Sequence, residues 1–215
     1  MSALPTIAVR PAVLADAPVM ARLHAEGITE GFLPSLGPRF LTRLYSRILR
    51  TEHAFAYVAG DYGAVVGFVA GALDIGDLYR TFLVRDGLLA GLSSAPRMLR
   101  SLPRVIETLR YPGRPDLPDL PEAEILAVAV DAARHGRGHG RALVEAAVRE
   151  FDRRGVTAIK VVAGADNDVA AALYRGCGFT EEHELRVHAG VPSIAYVHPA
   201  AGRANVGVGD AGSTR

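Results

Sequence analysis

Ile125-Leu-Ala-Val-Ala-Val-Asp131 is followed within three residues by Arg134-His-Gly-Arg-Gly-His-Gly-Arg141. Six apolar residues closed by an acid read as a buried strand. Gly136, Gly138 and Gly140 let the backbone come close to a ligand and turn its N–H groups to one side. Beyond them Leu143, Ala147, Val148 and Phe151 share one helical face, and the helix stops at Gly155 with Arg153 and Arg154 in its last turn. A strand, a glycine turn and a helix N-terminus together form an anion site suited to phosphate, with Arg137 and Arg141 at its rim.

Three phosphate-binding readings compete for this turn. A Walker A loop needs Lys-Ser/Thr after its last glycine, and Arg141-Ala142 stands there instead. A dinucleotide fingerprint needs G-x-G-x-x-G at the opening of its domain, whereas here the spacing is G-x-G-x-G and several strands precede it. The third reading is a cradle for the pyrophosphate of coenzyme A.

Working outward, Thr6–Arg10 reads as a short strand ended by Pro11, and Asp16 as the N-cap of a helix carrying Val19, Met20, Leu23 and Ile28. After a loop from Gly27 to Pro38, the stripe Phe40, Leu41, Leu44, Tyr45, Ile48 and Leu49 predicts a second amphipathic helix. Ala54–Ala59 and Ala64–Leu73 form a hairpin around Gly60-Asp61-Tyr62-Gly63. Between Asp74 and Pro121, Leu88, Leu89 and Leu92, then Met98 to Leu109, suggest two helices, and Pro112, Pro115, Pro118 and Pro121 an extended exit. Val156–Ala163 is the next strand, Val169–Cys177 a short helix closed by Gly178, and Phe179–His188 with Val191–His198 a final hairpin around Gly190. The tail from Pro199 to Arg215 has no apolar side chain larger than Val and reads as disordered.

Composition bounds the partners. A chain of 215 residues with 49% hydrophobic and 22% charged residues fits one globular domain. A net charge of +1 gives no case for a nucleic-acid binder. All 24 basic side chains but Lys160 are arginine, a surplus that a GC-rich coding sequence also produces. The single Cys177 excludes an intramolecular disulfide, a CxxC pair and a cysteine-based metal cluster, and suits a reducing cytoplasm. No apolar run approaches the ~20 residues of a membrane span, and the N-terminus lacks the charged and apolar regions of a signal peptide.

Val130-Asp-Ala-Ala-Arg-His-Gly-Arg-Gly-His-Gly-Arg-Ala-Leu143 resembles motif A of the GNAT family of N-acetyltransferases. Asn167-Asp-Val-Ala-Ala-Ala-Leu173-Tyr174-Arg-Gly-Cys-Gly178-Phe179 is similar to that family's N-x-x-A-x-x-L-Y-x-x-x-G-F, one helix and one strand further on. His135 stands where the family has Gln or Arg, His139 where an aliphatic residue is common, and Ala132 where proline is frequent. The resemblance implies an α/β (α+β) fold: a mixed, mostly antiparallel sheet, strands 4 and 5 parallel and splayed, helices on both faces. It implies a single acyl-CoA N-acyltransferase domain over residues 1–198, with a helical insertion at about 74–121 and a disordered tail at 199–215.

It also implies acetyl-CoA as co-substrate, without a metal. Gly136, Arg137, Gly138, His139, Gly140 and Arg141 would lie on the pyrophosphate, and the edge of Val128, Ala129 and Val130 would pair with the pantetheine arm. Asn167 would bind that arm or a water. An amine attacks a thioester directly once the two are held together. A backbone N–H near Val128 would then stabilise the thioester oxygen as it gains charge. Tyr174 occupies the position of the acid that protonates the departing thiolate, and its ordinary pKa near 10 suits that task. Glu124 is the candidate base, and also reads simply as a carboxylate at a strand start; Glu26, Glu30, His24 and His188 are weaker candidates. N-terminal protein acetylases of the family carry Glu on the strand before the Asn motif, where this chain has Val162.

The first reading is therefore an acetyl-CoA-dependent N-acetyltransferase acting on a primary amine of a small molecule, soluble and cytoplasmic, with no nucleic acid or membrane partner. A homodimer is compatible with it. Alternatives are a non-catalytic acyl-CoA sensor, a protein lysine acetyltransferase and a nucleotide-binding oxidoreductase; Tyr174 favours an enzyme over a sensor. Seven arginines between Arg80 and Arg114 point weakly to an acceptor carrying negative charge.

Overall fold

The structure is a computed structural model that describes residues 7–28, 33–61, 63–74, 76, 120–187 and 191–199. Its elements are β1 (Ala8–Pro11), α1 (Ala17–Gly27), α2 (Pro38–Ile48), β2 (Ala54–Asp61), β3 (Ala64–Ala72) and β4 (Glu124–Val130), then α3 (His139–Arg153), β5 (Ala158–Gly164), α4 (Asp168–Gly176), β6 (Thr180–Val187) and β7 (Val191–Pro199). The two helices expected between Leu88 and Leu109, the tail beyond Pro199, Glu30, His188 and Gly190 lie outside the described residues.

Seven strands share one sheet in the order β1-β2-β3-β4-β5-β7-β6. Every neighbouring pair is antiparallel except β4 and β5. Those two run parallel and meet only at Glu124 opposite Lys160, where the Lys160 N–H bonds the Ala123 carbonyl at 2.9 Å. Beyond that point they splay, as the resemblance implied.

Alternation along the strands divides the apolar side chains between two cores. Phe68 and Ala70 of β3 and Ala127 and Ala129 of β4 face α1 and α2, where they bury Met20, Leu23, Leu41, Tyr45 and Ile48. Val69, Ile125 and Ile159 face the other way, against Leu143 and Phe151 of α3 and Tyr174 of α4. The second core is tight at Gly71: a Cβ there would sit 2.7 Å from the Phe55 ring and 2.8 Å from the Phe151 ring. Those two rings meet edge to face with centroids 4.8 Å apart.

Two local expectations change. Pro11 belongs to β1 rather than ending it, because β1 is an edge strand and proline's missing N–H costs no ladder bond there. Asp16 sits at the N-cap of α1 without bonding the helix. Pro18 removes the N–H that such a cap would use, and the Asp16 carboxylate instead accepts both Arg10 nitrogens, at 2.7 and 2.9 Å, and the Val13 N–H at 2.8 Å.

Candidate active site

The site begins as an unpaired strand edge. The Asp131 N–H bonds the Val66 carbonyl at 2.8 Å, and Ala129 lies opposite Phe68. Antiparallel alternation therefore commits the backbone of Ala129 and Asp131 to β3 and turns the N–H and C=O of Val128 and Val130 toward the gap in front of β5. Of the three residues expected at the pantetheine edge, Val128 and Val130 present polar backbone to it, and Ala129 faces α1, with its Cβ close to Gly27. The register with β3 slips between Ala70 and Gly71, leaving Leu126 as the extra residue of a bulge two positions before Val128.

The turn after β4 is built from its own side chains. Asp131 accepts the Ala133 N–H at 2.9 Å, which winds Ala132–Arg134 into a single 3-10 turn. His135 Nε2 bonds the Val130 carbonyl at 2.8 Å, so the departure from Gln or Arg closes the outer end of the open edge. Arg134 reaches back to Asp61 at 2.8 Å and fastens the turn to the β2–β3 hairpin.

Gly138 starts α3 from the left-handed region, φ 85°, with no side chain capping the helix. The first intrahelical bond of this turn is from the Ala142 N–H to the Gly138 carbonyl, 3.0 Å. The N–H groups of His139, Gly140 and Arg141 precede it and are orphan donors beside the positive end of the helix. His139 is buried and lines a cavity of about 450 Å³ beside the hairpin. Arg141 is exposed and paired with Glu145 at 2.8 Å, while Arg137 stands at the cavity rim. A glycine cradle, three orphan donors and an open strand edge fit a pyrophosphate followed by an extended amide-bearing arm.

Asn167 caps α4, its carboxamide oxygen accepting the Ala170 N–H at 3.0 Å. Tyr174 is buried on the inner face of α4, tilted against Phe179 and Tyr196 with centroids 5.8 and 5.7 Å away. It shares the second core with Val128 and Val130.

Glu124 projects from the opposite face, since its neighbours Ala123 and Ile125 point into the second core. Its side chain is 13% exposed and lies 3.4 Å from Lys160 Nζ, itself 7% exposed. Burial raises the Glu124 carboxyl above the usual carboxylate range, and Lys160 opposes that rise. The remaining candidates among the described residues are otherwise engaged. Glu26 pairs with Arg22 at 2.6 Å on the surface. His24 is buried, shares a 2.5 Å hydrogen bond with Tyr45, and burial lowers its pKa to about 4.

Three features of the site escaped the sequence reading: the Leu126 bulge, the His135 bond to β4, and Lys160. For Lys160 a signal existed, because the chain's single lysine interrupts the apolar run Ile159-Lys160-Val161-Val162.

A family model described as the Acetyltransferase (GNAT) family matches residues 24–179. The mycothiol acetyltransferase of Kocuria rhizophila is 38% identical over 73 residues, covering 34% of this chain and 23% of that protein. The ribosomal protein bS18 alanine N-acetyltransferase of Escherichia coli is 40% identical over 62 residues, covering 29% of this chain and 42% of that protein. The matched stretches thus span less than half the length of these curated relatives. The crystal structure of the Escherichia coli ribosomal-protein-S18-alanine N-acetyltransferase aligns over 91% of this chain and 94% of its own, at a TM-score of 0.57 and 16% identity. A spermidine N-acetyltransferase chimera of Vibrio cholerae aligns over 90% and 95%, at 0.58 and 16%. The NatC complex bound to Gag peptide and CoA aligns over 90% and 98%, at 0.54 and 15%. At these identities the likeness shows the fold.

Proposed function

The chain belongs to the acetyltransferase (GNAT) family, and on that premise we propose that it transfers an acetyl group from acetyl-CoA to a primary amine of a small-molecule acceptor. The observation that carries this is one strand, β4, whose edge opens beyond Glu124 and leads into a glycine turn with an uncapped helix N-terminus. Acetyl-CoA supplies an activated thioester. The orphan N–H groups of residues 139–141 and the backbone of Gly136 and Gly138 hold its pyrophosphate, with Arg137 and Arg141 adding charge at the rim. The backbone of Val128 and the Val130 N–H hydrogen-bond the pantetheine amides, aided by Asn167, and the Val128 N–H also serves the thioester oxygen.

Proton handling divides between the two faces of the sheet. Glu124, on the α1 and α2 face, accepts the proton of the incoming ammonium, directly or through a water. Tyr174, on the α3 and α4 face, delivers a proton to the departing sulfur. Acceptor and thiol thus meet in the wedge from opposite sides. The catalytic unit is one domain, residues 1–198, with 74–121 inserted in it, and its setting is the cytoplasm. No helix of the described residues is long and apolar enough to cross a membrane.

The named relatives point to different acceptors. Val162 in place of the family's Glu argues against a protein N-terminus, and the arginines of the insertion favour an anionic small molecule. Calorimetry with acetyl-CoA and with NADH, followed by thiol release across polyamines, amino sugars, sugar nucleotides, amino acid amides and a lysine peptide, tests the proposal. Binding of acetyl-CoA alone and turnover on a small amine are expected. Tight NADH binding without CoA binding would overturn it, and binding without turnover on any amine would favour the sensor. Deleting residues 78–112 should change acceptor preference while acetyl-CoA affinity stays near wild type.

A further inference from the structure

The single lysine of the chain occupies an unusual place. Lys160 lies inside a strand, 6% exposed, with Ile159 and Val161 on either side buried in the second core. Its ammonium projects from the other face, where it donates to the Pro121 carbonyl and lies 3.5 Å from the Glu122 carbonyl and 3.4 Å from Glu124 Oε2. A buried ammonium needs all its donors engaged, and these three oxygens engage them. The same residue is the register partner of Glu124, at the vertex from which β4 and β5 diverge.

The surroundings of Glu124 leave Lys160 as its charge partner among the described residues. Its neighbour on β3 is Ala72, and the β7 residue opposite Lys160 is Val197. On α1, Arg22 and Glu26 pair with each other and His24 bonds Tyr45. On its own segment Glu122 is exposed. The Glu124 carboxylate supplies the third acceptor and the only counter-charge of this buried ammonium among the described residues.

We propose that Lys160 is a positioning residue of the reaction: its ammonium, fixed on the Pro121 and Glu122 carbonyls, holds the Glu124 carboxylate charged and ready to take a proton at the vertex of the wedge. The inference rests on the reading of Glu124 as the base. Lys160 itself touches neither substrate. Arginine would supply the same positive charge beside Glu124.

Carbon NMR of protein labelled at the Glu side-chain carboxyl tests this without any ligand, the Glu124 signal being assigned by its loss in Glu124→Gln. Lys160→Gln keeps a donor for the Pro121 carbonyl and removes the charge. The Glu124 midpoint should rise by about one to three pH units in Lys160→Gln, the usual effect of losing an adjacent opposite charge. Lys160→Arg should keep the midpoint near its wild-type value. An unchanged midpoint in Lys160→Gln would overturn the inference. So would an equal rise in Lys160→Arg, which serves as the deciding variant should Lys160→Gln fail to fold. The premise is read separately, by thiol release from acetyl-CoA with the amine panel above. A moved midpoint combined with wild-type turnover by Glu124→Gln would remove the base, and Lys160's part in catalysis with it. A moved midpoint with turnover lost at least tenfold in Glu124→Gln supports both.

Discussion

At Tyr174 the packing is observed and the proposed chemistry can be tested apart from it. Its ring fills the second core between Phe179 and Tyr196, a role that phenylalanine can also fill. Tyr174→Phe should therefore fold normally, bind acetyl-CoA within a few-fold of wild type, and lose about a hundredfold in kcat, the usual worth of a general acid. Stopped-flow thiol release from pH 6 to 10 reads the outcome, and wild-type rates throughout that range would remove the assignment. Tyr174 is singled out because Asn167, Tyr174 and Gly178 stand at the spacing of the family motif, on and around one short helix. Lys160 stands out as a lysine inside an apolar run, but its partners were illegible, being carbonyls 38 and 39 residues earlier in the chain.

At the level of elements, hydrophobic period and glycine placement located the seven strands and four α-helices of the described residues to within a few residues. The splay of β4 from β5 followed from family resemblance alone, since strand composition says nothing about where two strands part. The Leu126 bulge was illegible for a related reason: an extra residue alters register with β3 without disturbing the apolar run. The glycine turn makes a sharp prediction. Gly138 holds φ 85°, so Gly138→Ala should cost about 1–2 kcal/mol of stability through left-handed strain. It should also weaken acetyl-CoA binding by moving the first N–H groups of α3, as calorimetry would show. Gly71→Ala tests packing instead. A methyl group 2.7 Å from one ring and 2.8 Å from another overfills the core and should cost roughly 1–3 kcal/mol in urea unfolding, with acetyl-CoA affinity per folded molecule unchanged.

Over the whole molecule, His24 and Glu150 each predict a loss of stability in acid, while the raised carboxyl of Glu124 works in the opposite sense. His24 is neutral in the fold with a pKa of about 4, against 6.5 in the unfolded chain. The unfolded state takes up the proton first, so stability is complete above pH 6.5 and falls as pH drops toward 4, by roughly 2–3 kcal/mol. Glu150 extends the loss. Two hydrogen bonds from Arg153 and one from Arg154, with Tyr57 adding a fourth, lower its pKa to about 2 from 4.5. Its contribution is intact above pH 4.5 and disappears as pH falls toward 2. Thermal melts across this range should show a first decline that His24→Leu abolishes and a second that Glu150→Gln abolishes; a flat melting temperature between pH 7 and 4 would contradict the first step.

The sheet that separates the two apolar cores has a consequence for how such an enzyme changes its preferences. On the proposed reading, Met20, Leu41 and Tyr45 lie on the acceptor side of the sheet and Leu143, Phe151 and Tyr174 on the coenzyme side, so the two halves can be altered by separate substitutions. Changes distant from one another and without shared partners act additively. A lineage can therefore revise the acceptor half one residue at a time while the coenzyme half keeps its affinity, and the two sets of changes can be recombined with little mutual penalty.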